Sequence, residues 1–110
     1  MLPFFKHLFA KAETDLDGQT FKQQYLTEGT NAILLDVRTR DEFVLGSIAG
    51  AKNIDFWAND FAEKIAALDK SKSYYLFCRS GNRSGKACNM MSSMGFKAYN
   101  LDGGIGAWPK

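Results

Sequence analysis

The sequence predicts an α/β domain built on a mainly parallel sheet. Two continuous apolar runs, Ala32-Ile-Leu-Leu35 and Tyr74-Tyr-Leu-Phe77, read as strands covered on both faces, and helical patterns alternate with them. That alternation is the signature of βαβ units. At 110 residues, 45% hydrophobic and 24% charged, the chain has the size and polarity of one globular domain.

The elements follow in order. In residues 1–12, Leu2, Phe5, Leu8 and Phe9 approximate helical spacing and Pro3 suits a first turn, which predicts a helical N-terminal extension ahead of a domain over 13–110. The simplest role for that helix is packing on its own domain, with a membrane-surface or dimerisation helix as the alternative. Asp17 caps a helix over about 18–27, Leu16 and Phe21 form its hydrophobic staple, and Gly29 stops it. After the first strand, Thr39-Arg-Asp-Glu42 is a capping box that opens a short helix ending near Gly46. Ala51-Lys-Asn-Ile54 is a short strand. Phe61, Ile65 and Leu68 predict an amphipathic helix over about 58–69. Beyond the second apolar run, Ala87, Met91 and Met94 mark a helix over about 84–94, stopped by Gly95. A last strand over 97–101 leads into the turn Gly103-Gly-Ile-Gly106 and Trp108; Trp108 and Phe96 are core residues.

Composition removes several functions. A formal net charge of +2, with no basic stripe interleaved with aromatics, excludes nucleic acid as the expected partner. Two cysteines, Cys78 and Cys88, and one histidine, His7, cannot build a Cys/His zinc site or a disulfide scaffold, so no cofactor is expected and both cysteines are read as thiols in a reducing compartment. No apolar run reaches membrane-span length, and the N-terminus lacks a basic leader. The expectation is a cytoplasmic monomer. His7 is assigned no role.

The chemistry concentrates in Tyr74-Tyr-Leu-Phe-Cys78-Arg-Ser-Gly-Asn-Arg83-Ser84. A cysteine here sits between a buried strand and a helix start, where α/β sheets collect their ligands. Gly81 lets the loop curl with its amides inward, and the helix adds its positive end. Arg79 and Arg83 supply formal charge. Each feature favours thiolate over thiol and shapes a pocket for a small anion. The alternative, a structural cysteine in a tight turn, calls for apolar neighbours, and Arg-Ser-Gly-Asn-Arg are not. Cys88 lies among Ala87, Met90 and Met91, where packing explains it more simply than a resolving thiol does. Lys86 either strengthens the local positive field or is solvated surface.

Residues 78–84 resemble the active-site loop of the rhodanese-like domains. Leu35-Asp-Val-Arg38, Glu42-Phe43, Gly46-Ser-Ile48 and Gly50-Ala51-Lys-Asn-Ile54 resemble that family's first signature. Gly95-Phe96, Asn100-Leu-Asp-Gly-Gly-Ile105 and Ala107-Trp108 resemble its C-terminal signature. The resemblance spans about residues 14–109, with the motifs in family order. It implies a three-layer domain with a five-stranded, mainly parallel sheet flanked by helices on both faces. It also implies a sulfurtransferase. Cys78 would take the outer sulfur of an anionic donor such as thiosulfate as a persulfide, and cyanide, a small thiol or a protein thiol would remove it. Amides of residues 79–83 (Arg79, Ser80, Gly81, Asn82 and Arg83) would hold the persulfide, and the arginines would bind the donor, Arg83 more than Arg79 because it closes the loop. Asp36 and Arg38 would support structure near the site rather than catalyse, with Glu42 as partner to Arg38. The chain departs from the family at Ser47, where histidine is common; a surface contact is expected to differ.

Two other activities compete. A dual-specificity phosphatase of the cell-division-cycle class, or an arsenate reductase, shares the fold and a loop cysteine. Such loops are longer than the four residues, 79–82, that separate Cys78 from Arg83. A binding module without turnover would usually have lost the cysteine. The sulfurtransferase reading requires a sulfur anion at position 78 ringed by inward NH groups. A Cys78 packed away from solvent, with outward-facing amides, would leave only a fold.

Overall fold

The structure, a computed structural model, describes residues 13–110. The helix expected in residues 1–12 lies outside the described residues. Five strands, β1 (Asp15–Leu16), β2 (Ala32–Asp36), β3 (Lys52–Asn53), β4 (Ser73–Phe77) and β5 (Lys97–Leu101), form one sheet in the order β1-β5-β4-β2-β3. Every pair is parallel, as the apolar runs predict. The helices are α1 (Gly18–Glu28), α2 (Arg40–Val44), α3 (Phe61–Ala66) and α4 (Asn82–Ser93), with single 3-10 turns at Gly29–Asn31 and Ile105–Ala107.

Alternate side chains of each central strand point to opposite layers. Leu34, Tyr75, Phe77 and Leu101 meet Phe21 of α1, with Tyr25 and Trp108 packed against them. Leu35, Tyr74, Leu76 and Ala98 meet Phe61 and Ile65 of α3 and Ala87, Cys88 and Met91 of α4. Both faces are thus covered, which explains why β4 is buried at all five positions and carries no polar alternation.

The local signals act as read. The Asp17 carboxylate accepts the Thr20 N–H at 2.8 Å, Leu16 and Phe21 share one core layer, and Gly29 ends α1 at φ 59°. Thr39 and Glu42 close a complete capping box on α2. Two helix boundaries differ, and one strand, β1, has no counterpart in the sequence reading. The helix expected over 58–69 is only Phe61–Ala66: Phe61 N–H reaches the Ala58 carbonyl and Leu68 N–H the Ile65 carbonyl, tight turns that end the α pattern at both sides while Leu68 still packs on the core. Helix α4 begins at Asn82, two residues before the expected start. Strand β1 has two residues, too few to show a period, and is held by the Asn100 and Asp102 N–H groups donating to the Thr14 and Leu16 carbonyls.

This topology selects one place for a site. From the end of β2 the chain moves outward to β3; from the end of β4 it moves through α4 to β5, on the other side. Diverging connections open a crevice beyond the carboxyl ends of two adjacent strands. Asp36 and Cys78 stand there, side by side, with the Val37 N–H donating to the Phe77 carbonyl at 3.0 Å. Among the described residues no helix is long and apolar enough to cross a membrane.

Candidate active site

Cys78 follows β4 directly. The backbone then turns through Gly81 at φ 96°, a left-handed conformation that a side chain would strain, and α4 starts at the next residue. The turn aims donors back at the sulfur. Gly81 N–H donates to Cys78 Sγ at 3.1 Å, Ser84 N–H at 3.4 Å and the Ser84 hydroxyl at 3.3 Å. The ring therefore closes on one sulfur atom. Its members are partly those expected: Gly81 lies in the predicted stretch, but Ser84, fully buried in the first turn of α4, has no role assigned from the sequence and supplies both an N–H and a hydroxyl. The earlier start of α4 explains this, because it brings residue 84 onto the face toward the sulfur.

The condition set on the sequence divides in two. The Ser80, Gly81 and Ser84 amides face the sulfur, whereas the Asn82 N–H turns to the Ser80 hydroxyl. The Cys78 side chain, however, is wholly buried. Burial is the largest influence on its thiol and pushes the pKa up, but the Ser84 hydroxyl and the Ser84, Gly81 and Ser80 N–H groups together outweigh it and hold the thiol below the ordinary value. A purely structural cysteine lacks such donors, and its pKa rises. Cys88 is that case: buried in the same layer with Ala87 and Met91, its thiol is pushed far up by burial and by the fields of Asp15 and Cys78. Packing suffices for Cys88. What the loop can do chemically is stabilise a sulfur anion at residue 78; a reagent reaches it only by displacing what covers it.

Around the loop the charged residues pair differently from the sequence expectation. Arg38 does not pair with Glu42. Its guanidinium lies on Asp36, Nη2 to Oδ2 at 2.7 Å and Nε to Oδ1 at 3.0 Å, and Nη2 also donates to the Gly46 carbonyl at 2.7 Å. Asp36 is fully buried, so geometry this complete is what makes an ion pair tolerable there. Ser47 also takes part: its hydroxyl donates to Asp36 Oδ2 at 2.8 Å, so the residue that differs from the common histidine is a buried-carboxylate partner rather than a surface contact. Glu42 instead grips Arg83, Oε1 to Nη1 at 2.9 Å and Oε2 to Nη2 at 3.2 Å. Arg83 hydrogen bonding, with Thr39 assisting, outweighs burial and holds the Glu42 carboxyl at about 2, while the Glu42 bond raises Arg83. Both terminal guanidinium nitrogens of Arg83 are engaged, so the positive charge expected to help bind the donor is here matched by a carboxylate. Arg79 is exposed. Ser80 and Asn82 are exposed as well, and the Ser80 hydroxyl accepts the Asn82 N–H at 3.4 Å.

The C-terminal turn closes the site from below. Ile105 N–H donates to the Cys78 carbonyl at 2.8 Å. Gly104, at φ 80°, lies so close to the loop that an added Cβ would stand 1.9 Å from the Arg79 carbonyl oxygen. Asn100 at the end of β5 donates from Nδ2 to the Gly81 carbonyl at 3.1 Å and to Asp15 Oδ1 at 2.9 Å, tying loop to sheet. Beside the loop is a pocket of about 350 Å³ lined by Arg38, Glu42, Leu45, Gly46, Arg79 and Ile105. Larger hollows elsewhere, such as that of about 540 Å³ along α1 and the start of β4, are away from the cysteine.

Comparison with known proteins agrees with this layout. The family model described as the rhodanese-like domain matches residues 19–110. YtwF of Bacillus subtilis, provisionally named a sulfurtransferase, is 43% identical over 75 residues, 68% of this chain and 71% of that protein. A thiosulfate sulfurtransferase of Stutzerimonas stutzeri, GlpE, is 28% identical over 86% of each chain. The crystal structure of a rhodanese-like domain protein from Staphylococcus aureus superposes with a TM-score of 0.74 at 29% identity, covering 88% of this chain and 92% of that one. A cysteine ringed by NH donors at the crevice of a five-stranded parallel sheet, in a chain matched by that family over nearly its whole length, places it: the chain belongs to the rhodanese-like domain family.

Proposed function

We propose that this chain is a sulfurtransferase that carries a sulfane sulfur on Cys78. The Cys78 thiolate attacks the outer sulfur of an anionic donor such as thiosulfate; the sulfur–sulfur bond of the donor breaks, its electron pair leaves with sulfite, and a Cys78 persulfide anion remains. A thiophilic acceptor (cyanide, a small thiol or a protein thiol) then attacks the outer sulfur and regenerates the thiolate. Gly81 and Ser84 are the residues that stabilise the anion in both states, and Arg79 attracts the donor. The named sulfurtransferase relatives support the reaction class.

The single observation that carries this reading is the trio of donors on Cys78 Sγ, from Gly81 N–H and from the N–H and hydroxyl of Ser84. Hydrogen bonds to an anion are the strong ones, and the loop of four residues between Cys78 and Arg83 is shorter than the phosphatase loops of this fold, which favours a sulfur over a phosphate. The test is intact mass spectrometry after incubation with thiosulfate. One added sulfur mapped to Cys78 is expected, with none on a Cys78→Ser protein of unchanged circular dichroism. Phosphatase turnover without sulfur loading would overturn the reading.

A further inference from the structure

We propose that the site selects its sulfur donor by charge, with Glu42 as the specificity-determining residue: the pocket beside the Cys78 loop takes a singly charged sulfane-sulfur anion with an apolar substituent in preference to the thiosulfate dianion. This rests on the sulfur-transfer reading and narrows its donor class.

The charged side chains of the pocket wall, Arg38, Glu42 and Arg79, are largely balanced by one another and by partners just behind them. Arg38 is matched by the buried Asp36 at 2.7 Å. Arg83 is matched by Glu42 through both nitrogens, at 2.9 and 3.2 Å. Arg79 is the cation on this wall with no salt bridge among the described residues. A dianion therefore finds one uncompensated positive charge and sets its second negative charge against the Glu42 carboxylate. That carboxylate cannot swing aside freely, because Oε1 also accepts the Thr39 N–H and hydroxyl, each at 3.1 Å, and releasing them opens the cap of α2. The rest of the wall is apolar. Leu45 is 89% exposed, unusual for leucine, and Ile105 and the bare backbone of Gly46 stand beside it. One cation and an apolar shelf suit an organic thiosulfonate. The step balances without a further reagent: the Cys78 thiolate bonds to the sulfane sulfur, the bond from that sulfur to the sulfonyl sulfur breaks, its electron pair leaves with the sulfinate, and the persulfide keeps the negative charge.

The test compares benzenethiosulfonate with thiosulfate as donors, in the wild type, Glu42→Gln and Leu45→Ser. Glutamine can still close the capping box, so the fold is kept while the charge is lost. Glu42→Gln is expected to lower the KM for thiosulfate about fivefold and to change that for benzenethiosulfonate less than about twofold, the scale of one screened like-charge contact. Leu45→Ser is expected to weaken benzenethiosulfonate alone. An unchanged thiosulfate-to-benzenethiosulfonate ratio in Glu42→Gln overturns the proposal while leaving sulfur transfer intact. Calorimetric binding of sulfate and benzenesulfonate to Cys78→Ser reads the same filter without chemistry. If no donor loads sulfur but that protein prefers benzenesulfonate, and Glu42→Gln removes the preference, sulfur transfer fails and the charge filter stands. Failure of both measurements overturns both.

Discussion

Two opposing effects act on the proton of Cys78: burial favours the thiol, and a set of short-range donors favours the thiolate and wins. Ser84 supplies both a hydroxyl and an N–H. Ser84→Ala removes one of them without opening a large cavity, and a bond to an anion is worth about 1.5–3 kcal/mol, so the Cys78 pKa should rise by roughly one unit or more. The pH dependence of thiolate absorbance reads this directly; an unmoved midpoint would mean the hydroxyl turns elsewhere. The profile, not the absolute rate, is also the quantity to follow in alkylation, since a buried sulfur reacts slowly whatever its pKa. The arginines need similar care. Removing Arg83 alone uncovers the Glu42 charge, so a paired change, Arg83→Ala with Glu42→Gln, is the fair comparison. It should raise the thiosulfate KM less than Arg79→Ala does, reversing the ranking expected from loop closure. That ranking was beyond the sequence because it depends on which carboxylate reaches which guanidinium across 41 positions of chain. The role of Ser47 was hidden for the same reason: it became visible only when Asp36 was seen to be fully buried and in need of a further donor.

Elements whose causes are local were legible. Asp17, the Thr39–Glu42 box and Gly29 act through neighbours within a few residues, and the chain obeys them. Helix α3 was misjudged because Leu68 keeps its helical spacing while its backbone has already left the α pattern, so side-chain period outlasts hydrogen bonding. Contact between distant elements was least legible, and the glycine-rich turn shows it. Trp108 anchors this turn on α1, ring centroids 6.2 Å from Phe21 and 6.3 Å from Tyr25, and Gly104 thereby presses against the Cys78 loop. Gly104→Ala would force a methyl group into the Arg79 peptide at a left-handed φ of 80°. Urea unfolding should show a loss of about 2–4 kcal/mol, and the depressed Cys78 pKa should relax toward the ordinary value as the loop is pushed away. Gly106→Ala, with nothing within 4 Å of the added Cβ, is the matched control and should stay within about 0.5 kcal/mol of the wild type. Equal effects at both positions would show that the turn yields rather than presses.

For the molecule as a whole, two apolar layers hold the sheet, while two ion pairs hold its functional end. The pairs differ in kind. Asp36–Arg38 is sealed, with side chains 0% and 9% exposed, and breaking it leaves an uncompensated charge inside; Asp36→Asn should cost about 3–5 kcal/mol. Glu42–Arg83 is partly open to solvent, with exposures of 29% and 18%, and its contribution can be titrated. The Glu42 carboxyl is depressed in the folded state, from 4.5 to about 2, chiefly by the Arg83 hydrogen bonds working against burial. For an acid whose folded value lies below its unfolded one, the stabilisation is complete above the unfolded pKa and is lost as pH falls toward the folded one. Stability should therefore drop between about pH 4.5 and 2 by an amount of order 2 kcal/mol attributable to this one group, once partial exposure is allowed for. Denaturant midpoints measured across that window, in the wild type and in Glu42→Gln, isolate it. The variant should start lower at neutral pH and fall less steeply, the two curves converging near pH 2. Because the same carboxylate that gives up this stability in acid also neutralises Arg83, Glu42→Gln should bind thiosulfate better than the wild type at neutral pH, where the anion is stable. Parallel stability curves would place the acid sensitivity of this fold on other carboxylates.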